Sequence, residues 1–497
     1  MRFWKTGLPV AAGVLLGASQ AWVSQARAAN DSLTMGMILE PPHLDPTAGA
    51  AAAIDEVVYA NVFEGLTRID RNGEVLPALA RSWDISGDGL TYTFHLADGV
   101  TFHDGAAFDA SDVVFSLHRA MAEDSVNAQK QIFGAIDKVE TLDAGTVVIT
   151  LKQPAGNLLF NLGWGDAVIV DPASAEGNKQ TPIGTGPFAF DRWVSGDRIE
   201  LSKNPNYWGQ PMALETATFK FIPDPAAAAA AILSGGVDAF ANFPAAELVP
   251  QLEADPRLTV IIGSTEGETI LSTNNAAEPF NDLRVRQAIA HALDRRAIID
   301  GLFGYGTPIG THFAPHHPAY LDLVDLYEYD PRKAKALLAE AGHPEGFKAT
   351  LRLPPPAYAR RGGEIVAAQL AEIGIELELI PVEWAQWLDQ VFRNTDYDLT
   401  IVSHTEPFDI GIYGRDDYYF NYHGPAFKAL LAELNESTDQ DKRYELLGKM
   451  QRLIAEDAVN GYLFQLAKLG VWNKDLEGLW HNSPVQANDL TGVYWKR

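Results

Sequence analysis

The stretch Asp88-Gly89-Leu90-Thr91-Tyr92-Thr93-Phe94-His95-Leu96-Ala97-Asp98-Gly99-Val100-Thr101-Phe102-His103-Asp104-Gly105, DGLTYTFHLADGVTFHDG, sets the reading of the whole chain. From Leu90 to Leu96 the side chains alternate with period two, so Leu90, Tyr92, Phe94 and Leu96 share one face of a strand. Ala97-Asp98-Gly99 is turn chemistry and sends the chain back through Val100-Thr101-Phe102. Asp109-Ala110-Ser111-Asp112 then offers an N-cap and an acidic first turn to a helix with Val113, Val114, Leu117 and Met121 on one face. The predicted order is hairpin, then helix.

Towards the C-terminus the pattern changes. Asn281-Asp282-Leu283-Arg284 opens a helix with Val285, Ala288, Ile289, Ala292 and Leu293 in one buried stripe. Asp330-Pro331 caps another, which Gly342 closes. Strands at 349–353, 375–380 and 397–402 alternate with helices at 363–373 and 384–392, the order of parallel β-α-β units. The alanine run 226–231 after Pro225 continues through Ile232 and Leu233 as a helix. With no long Gly/Ser tether, a domain border is expected where strands cross between lobes.

The chain has 497 residues, 47% of them hydrophobic, enough for more than one domain. Arg2 and Lys5, a largely apolar run from Leu8 to Val23 and then Ala26-Arg27-Ala28 predict a cleaved export signal over 1–28. Pro9, Gly13, Gly17, Ser19 and Gln20 interrupt the run and argue against a membrane span. The chain contains no cysteine, which excludes disulfides and a cysteine-linked lipid anchor. Beyond the leader stand 35 basic and 65 acidic side chains, a net of −30, which repels nucleic acid and anionic lipid. The expectation is a soluble periplasmic protein.

Leu76-Pro77-Ala78-Leu79-Ala80-Arg81-Ser82-Trp83, the block 88–105 and Phe108 to Leu117 closely resemble a segment of the large substrate-binding proteins of peptide and nickel ABC importers, solute-binding protein family 5. Gly184-Thr185-Gly186-Pro187-Phe188, Lys203 to Gly209, 284–295 and 330–342 continue the likeness in order. The resemblance implies an α/β, two-lobed periplasmic binding protein (type II) with an extra subdomain, closing on its ligand like a clamshell. It implies a first lobe at 29–272 with the subdomain at about 50–180, a second at 273–477, and a return at 478–497. It also implies permease and cytoplasmic ATPase partners, a short peptide as cargo, no cofactor and a monomer. An opine, a glycoside, a cationic metabolite or a nickel complex remain alternative cargoes, and an exported hydrolase an alternative class.

Enzyme motifs are missing: the chain has no G-x-S-x-G, no H-E-x-x-H and no phosphate loop. Gly184-Thr185-Gly186 lacks the third glycine of a dinucleotide fingerprint and reads as a turn. His95 and His103 read as structural. His312, His316 and His317 are of a type that suits nickel, but Pro315 and Pro318 make the segment a turn, so they read as loop histidines and no metal site is assigned. Just past the strand at 397–402 comes Ser403-His404-Thr405-Glu406-Pro407-Phe408-Asp409-Ile410-Gly411-Ile412-Tyr413-Gly414. Ligands of such sheets bind beyond the carboxyl ends of strands. The resemblance assigns the peptide amine to an aspartate of this segment: Asp409 is the candidate, Glu406 the alternate, and either acid has the competing role of capping a turn. His404 lies beside them. Aromatic candidates are Trp384, with Trp387 as a packing residue, Tyr413, and Trp164 between two glycines, each weighed against burial in a core. The segment 267–271, with Thr269 at its centre, offers backbone groups that an extended peptide would use as an added strand.

Overall fold

The computed structural model describes residues 31–49, 51–406, 409–437 and 439–496; the expected leader lies outside them. The helix forms as read, but the hairpin does not: Thr91–Leu96 pairs with Ala80–Ile85 and Thr146–Leu151, and beyond the turn Thr101 makes only an isolated bridge to Ala107. Strands Ala80–Ile85, Thr91–Leu96, Thr146–Leu151 and Ile136–Asp143 make an antiparallel sheet in that order. Tyr92, Phe94 and Leu96 point into a core shared with Val113 and Leu117 of the helix Ala110–Met121. Asp109 caps that helix by accepting from the Ser111 N–H, while Asp112 accepts from the Asp109 N–H. This core runs from Leu66 to Ile169, inside the expected subdomain range.

A larger mixed sheet holds most of the remaining strands, with two-stranded pairs at 67–69/75–77 and 476–477/494–495 outside it. Among the described residues its order is Ile375–Pro381, Phe347–Leu353, Leu399–His404, Leu258–Thr273, Asn460–Asn473, Ala239–Phe240, Ser32–Met37, Thr216–Phe221, Arg198–Lys203 and Phe188–Val194. The first three are mutually parallel, the expected β-α-β arrangement. Helices Leu283–Ala292, capped by Asp282, and Pro331–Glu340, capped by Asp330, pack over them.

Two long strands, Leu258–Thr273 and Asn460–Asn473, run antiparallel through the middle of this sheet. Their ladder is continuous from Leu258–Asn473 to Ser264–Ala467 and resumes at Glu268–Gln465. Between those points Thr265, Glu266 and Gly267 face Leu466 alone, an expanded bulge that bends the pair. On one side Val471 and Trp472 pack with cores containing Phe240, Leu33 and Phe219; on the other Leu271 and Phe464 pack with Ile289, Leu351 and Ile401. Core membership therefore changes at the bulge, earlier than the expected borders after 272 and 477. The strands continue through the change, so no turn or linker composition marks it.

The two halves lie against each other. Gln486 donates to Thr405 Oγ1 at 2.7 Å, and Arg443 donates to Asn157 Oδ1 at 2.9 Å while also holding the carbonyls of Leu434 and Ser437. The C-terminal segment is sewn to the crossing strand: Ser483 N–H donates to the Ser264 carbonyl, and Ser264 N–H to Asn482 Oδ1. Gly263 stands at this seam, and a Cβ there would run into the carbonyl oxygen of His481. Gly263→Ala is expected to cost about 1–3 kcal/mol through that overpacking, read as a lower midpoint in thermal unfolding. An unchanged midpoint would show the seam to be loose.

Candidate functional site

The strand Leu399–His404 ends at the junction of the two halves, its His404 paired in register with Glu268 of the crossing strand. Residues 407 and 408 lie outside the described set. The chain resumes as a 3-10 turn, Asp409–Gly414. Asp409 accepts from two histidines: His312 Nε2 at 2.7 Å, and His404 Nδ1 at 3.3 Å. The other ring nitrogens are also engaged, His312 Nδ1 with the Tyr413 hydroxyl at 3.2 Å and His404 Nε2 with the Tyr419 hydroxyl at 3.0 Å. Tyr413 in turn accepts from Asn460 Nδ2 at 3.0 Å. Phe420, Tyr418 and Phe427 wall the network.

Burial by itself pushes the Asp409 carboxyl up, but His312 and His404 more than reverse it and hold it well below the ordinary carboxylate range. Burial pulls His404 down, and its bond to Asp409, with the charges of Asp409 and Glu406, outweighs this and raises it above the ordinary histidine value. The three groups bring ligand atoms within 4.8 Å of one another, a spacing that a metal ion can bridge. Because every ring nitrogen already has a partner, the arrangement reads as a charge-paired network.

Around it lie acids with no such pairing. Glu268 is 5% exposed, and its Oε2 has no hydrogen-bond partner. Burial first, then Asp409 and Glu266, push its carboxyl well above the ordinary range. Glu266, set out by the bulge, is matched by His316 Nε2, whose other nitrogen meets Gln465. Glu406 accepts from the neighbouring Thr405 N–H and lies in the field of Asp166 from the other half. There, Asp55 of the helix Ala52–Val58 and Asp166 of the turn Gly165–Ala167 are both buried, each with an unpartnered Oδ1. Burial, followed by Asp166 and Glu56, pushes Asp55 well up, and burial with Glu406 pushes Asp166 up to about 7. Lys468, on the crossing strand, faces Glu56 and is pulled by burial down to about 8.

The sequence-derived candidates divide. His404, Glu406 and Asp409 do come together, joined by His312, expected only as a loop histidine. Asp409 is not a bare carboxylate awaiting an amine; two imidazoles hold it. Tyr413 is 1% exposed and supports His312. Thr269 is fully buried, its hydroxyl on Ser403 Oγ at 3.3 Å, and its backbone is paired with Ser403 on one side and Phe464 on the other. The segment 268–271 is thus a central strand with no free edge for a peptide. Trp164 is buried against Phe160, the packing alternative. Trp387 packs inward with its indole N–H on Thr400 Oγ1, while Trp384 stays 38% exposed on its edge and does not join the acidic cluster. Sequence reasoning missed Glu268, Asp55 and Asp166; Asp166 alone is an isolated acid in an apolar neighbourhood, whereas Asp55 stands beside Glu56 and Glu268 two residues from Glu266, so the sequence carried a signal only for the first.

The family model for bacterial extracellular solute-binding proteins, family 5, matches residues 74–424. The glutathione-binding protein GsiB of Pectobacterium atrosepticum is 34% identical over 351 residues, 69% of this chain and 68% of that protein. The chain belongs to this family, and it has the family's two-lobed α/β fold. Among solved structures, the periplasmic binding protein DppA of Helicobacter pylori in complex with the peptide STSA matches with a TM-score of 0.84 at 28% identity, covering 94% of this chain and 99% of that one. AgaA of A. tumefaciens R10 in complex with agropinic acid gives 0.83 at 25% identity, again over 94% and 99%.

The Asp409–His404 pair has a definite pH signature. His404, raised in the fold, adds stability that is fully present below its unfolded value of about 6.5 and is lost as pH rises through its folded value. Asp409, depressed in the fold, adds stability that is present above its unfolded value of about 3.9 and is lost on acidification. Asp409→Asn is therefore expected to destabilise by about 3 kcal/mol near pH 5.5 and by less at pH 8.5, as followed by urea unfolding at both. An equal loss at the two pH values would contradict a charged His404.

Proposed function

We propose that this chain is the periplasmic substrate-binding component of an ABC importer and that it captures short peptides between its lobes for delivery to a membrane permease. The reading rests above all on one observation: carboxyl groups with unmet oxygens lie where the two lobes meet, in a member of a family whose related proteins are named for glutathione and peptides. An ammonium in that place gains charge-assisted bonds in a water-poor setting, where each is worth more than on a surface. Glu268 is the group assigned to the peptide amine, with Asp409 and Glu406 adding their charges beside it. His404 and His312 fix the Asp409 carboxylate, and Tyr413 fixes His312. Lobe closure about the bulge at 265–267 and Leu466 is the conformational step.

The chain is a binder, not a hydrolase. The histidine–aspartate network contains no serine or cysteine nucleophile, and the nearest hydroxyls are tyrosines bonded to the imidazoles. No phosphate loop occurs, so ATP chemistry belongs to separate subunits. Export by the leader at 1–28 places the protein in the periplasm. Among the described residues no helix is long and apolar enough to cross a membrane.

A mixture of di- and tripeptides incubated with the protein and examined by native mass spectrometry should give one-to-one complexes, with every peptide recovered intact after hours. Truncated products would restore the hydrolase. For a peptide that binds, N-acetylation or Glu268→Gln should weaken affinity in calorimetry by more than about tenfold, the loss of one charge-assisted bond of roughly 1.5–3 kcal/mol. Undiminished affinity on acetylation would remove the amine from the site.

A further inference from the structure

The acids described above fall into two groups. Glu268 and Asp409 belong to the crossing strand and the second lobe. Asp55 and Asp166 belong to the first lobe and are brought together by Gly165, where a Cβ would run into the Asp55 carboxyl. Glu406 feels both groups, since its charge acts on Asp166 and on Glu268. One ammonium does not account for the whole set.

The first-lobe pair is built into the interior. Asp55 is 8% exposed and Asp166 6%, and an oxygen of each is sealed from water without a hydrogen bond. Arg68 is committed to Asp489, Arg119 to Asp45, and Arg443 to Asn157 and two carbonyls, while Lys468, whose charge acts on Glu56, donates to the Asn482 carbonyl at 3.4 Å. No ion pair to Asp55, Asp166 or Glu406 forms among the described residues. A buried carboxylate without a partner is costly, and such groups are retained where something charged arrives to meet them. A single metal ion is a poor occupant: among the described residues only His312, His404 and Asp409 gather three ligand atoms within 4.8 Å. The remaining carboxyls are spread, as suits an extended organic cation with several N–H donors.

We propose that Asp55, Asp166 and Glu406 form a second cation-binding position beside the amine site, and that it receives the guanidinium or ammonium side chain of a basic short peptide. This rests on the peptide reading and narrows it: the cargo carries two positive charges, one at its amino terminus and one on a side chain. Arginine fits best, because its planar fork can meet two carboxylates at once. Burial and the neighbouring carboxylates push both Asp55 and Asp166 up, so a cation placed between them would favour their charged forms.

The test compares Ala-Arg-Ala with Ala-citrulline-Ala, which has nearly the same shape without the charge, by calorimetry on the full protein. The arginine peptide should bind about thirtyfold more tightly, the equivalent of roughly 2 kcal/mol for a charge-assisted contact. Asp166→Asn should abolish most of that ratio while leaving the citrulline peptide's affinity nearly unchanged. Asp55→Asn provides the same readout if Asp166→Asn fails to give a cooperative thermal transition, and the ratio in the unaltered protein needs no variant at all. Equal affinity for the two peptides overturns the second position and leaves the peptide reading standing. Failure of both peptides, and of the wider peptide mixture, overturns the peptide reading and this inference with it.

Discussion

Everything in this molecule hangs on the backbone pairing of two strands, Leu258–Thr273 and Asn460–Asn473. Their N–H and C=O groups are buried in the centre of a sheet and must be matched, so the ladder is kept on both sides of the crossing. Its widest break is the stretch where three residues face one, with a second, smaller register shift between Thr269 and Ile270. At the wide break the two halves can turn without stripping hydrogen bonds from a core strand. The same irregularity throws Glu266 out of the ladder towards His316 and returns Glu268 to it opposite His404 and Gln465. Hinge and binding acids are consequences of one register break.

Charge is the second constraint. Two imidazoles meet the Asp409 carboxylate, so the network around it is stable whether or not a ligand is present. Glu268, Asp55 and Asp166 are left with unmet oxygens. The contrast separates a framework from a receptor: groups satisfied from within hold the shape, and groups left unsatisfied at the junction are completed from outside. Lys468, shifted downward by burial and facing Glu56, limits how far the acidic field extends along the crossing strand.

Local chemistry made much of the fold legible. Period-two alternation at 90–96, the caps at Asp109, Asp282 and Asp330, and the Gly342 stop after the helix Pro331–Glu340 are each determined within a few residues. The site was legible only where a strand end carries its own polar residues, as at His404 to Asp409. His312 lies 97 positions before Asp409, and their contact is decided by how the turn near Pro315 folds back over the second lobe. Thr269 was misread because a strand's apolar pattern does not say whether it is an edge or a centre. The aromatics were overvalued for a related reason: Trp164 and Tyr413 have surfaces large enough to serve a core or a ligand, and here the core claims both.

The acids missed in the sequence show what a pattern-based reading lacks. Asp55 follows Ile54 and stands two residues before Val57, both fully buried, with the acidic Glu56 between Asp55 and Val57. In a pattern of apolar and polar residues it counts as one more polar position, yet its burial pushes the carboxyl well up and holds it away from its preferred charged form. Such a residue weakens the empty closed state relative to the open one, in which water can reach the carboxyl. A ligand cation that removes the penalty favours closure by the same amount, because a ligand shifts a conformational balance only through its differential affinity for the two states. The unsatisfied acids thereby link recognition to movement: an empty protein resists closing on itself, and a cation of the right shape lets it close.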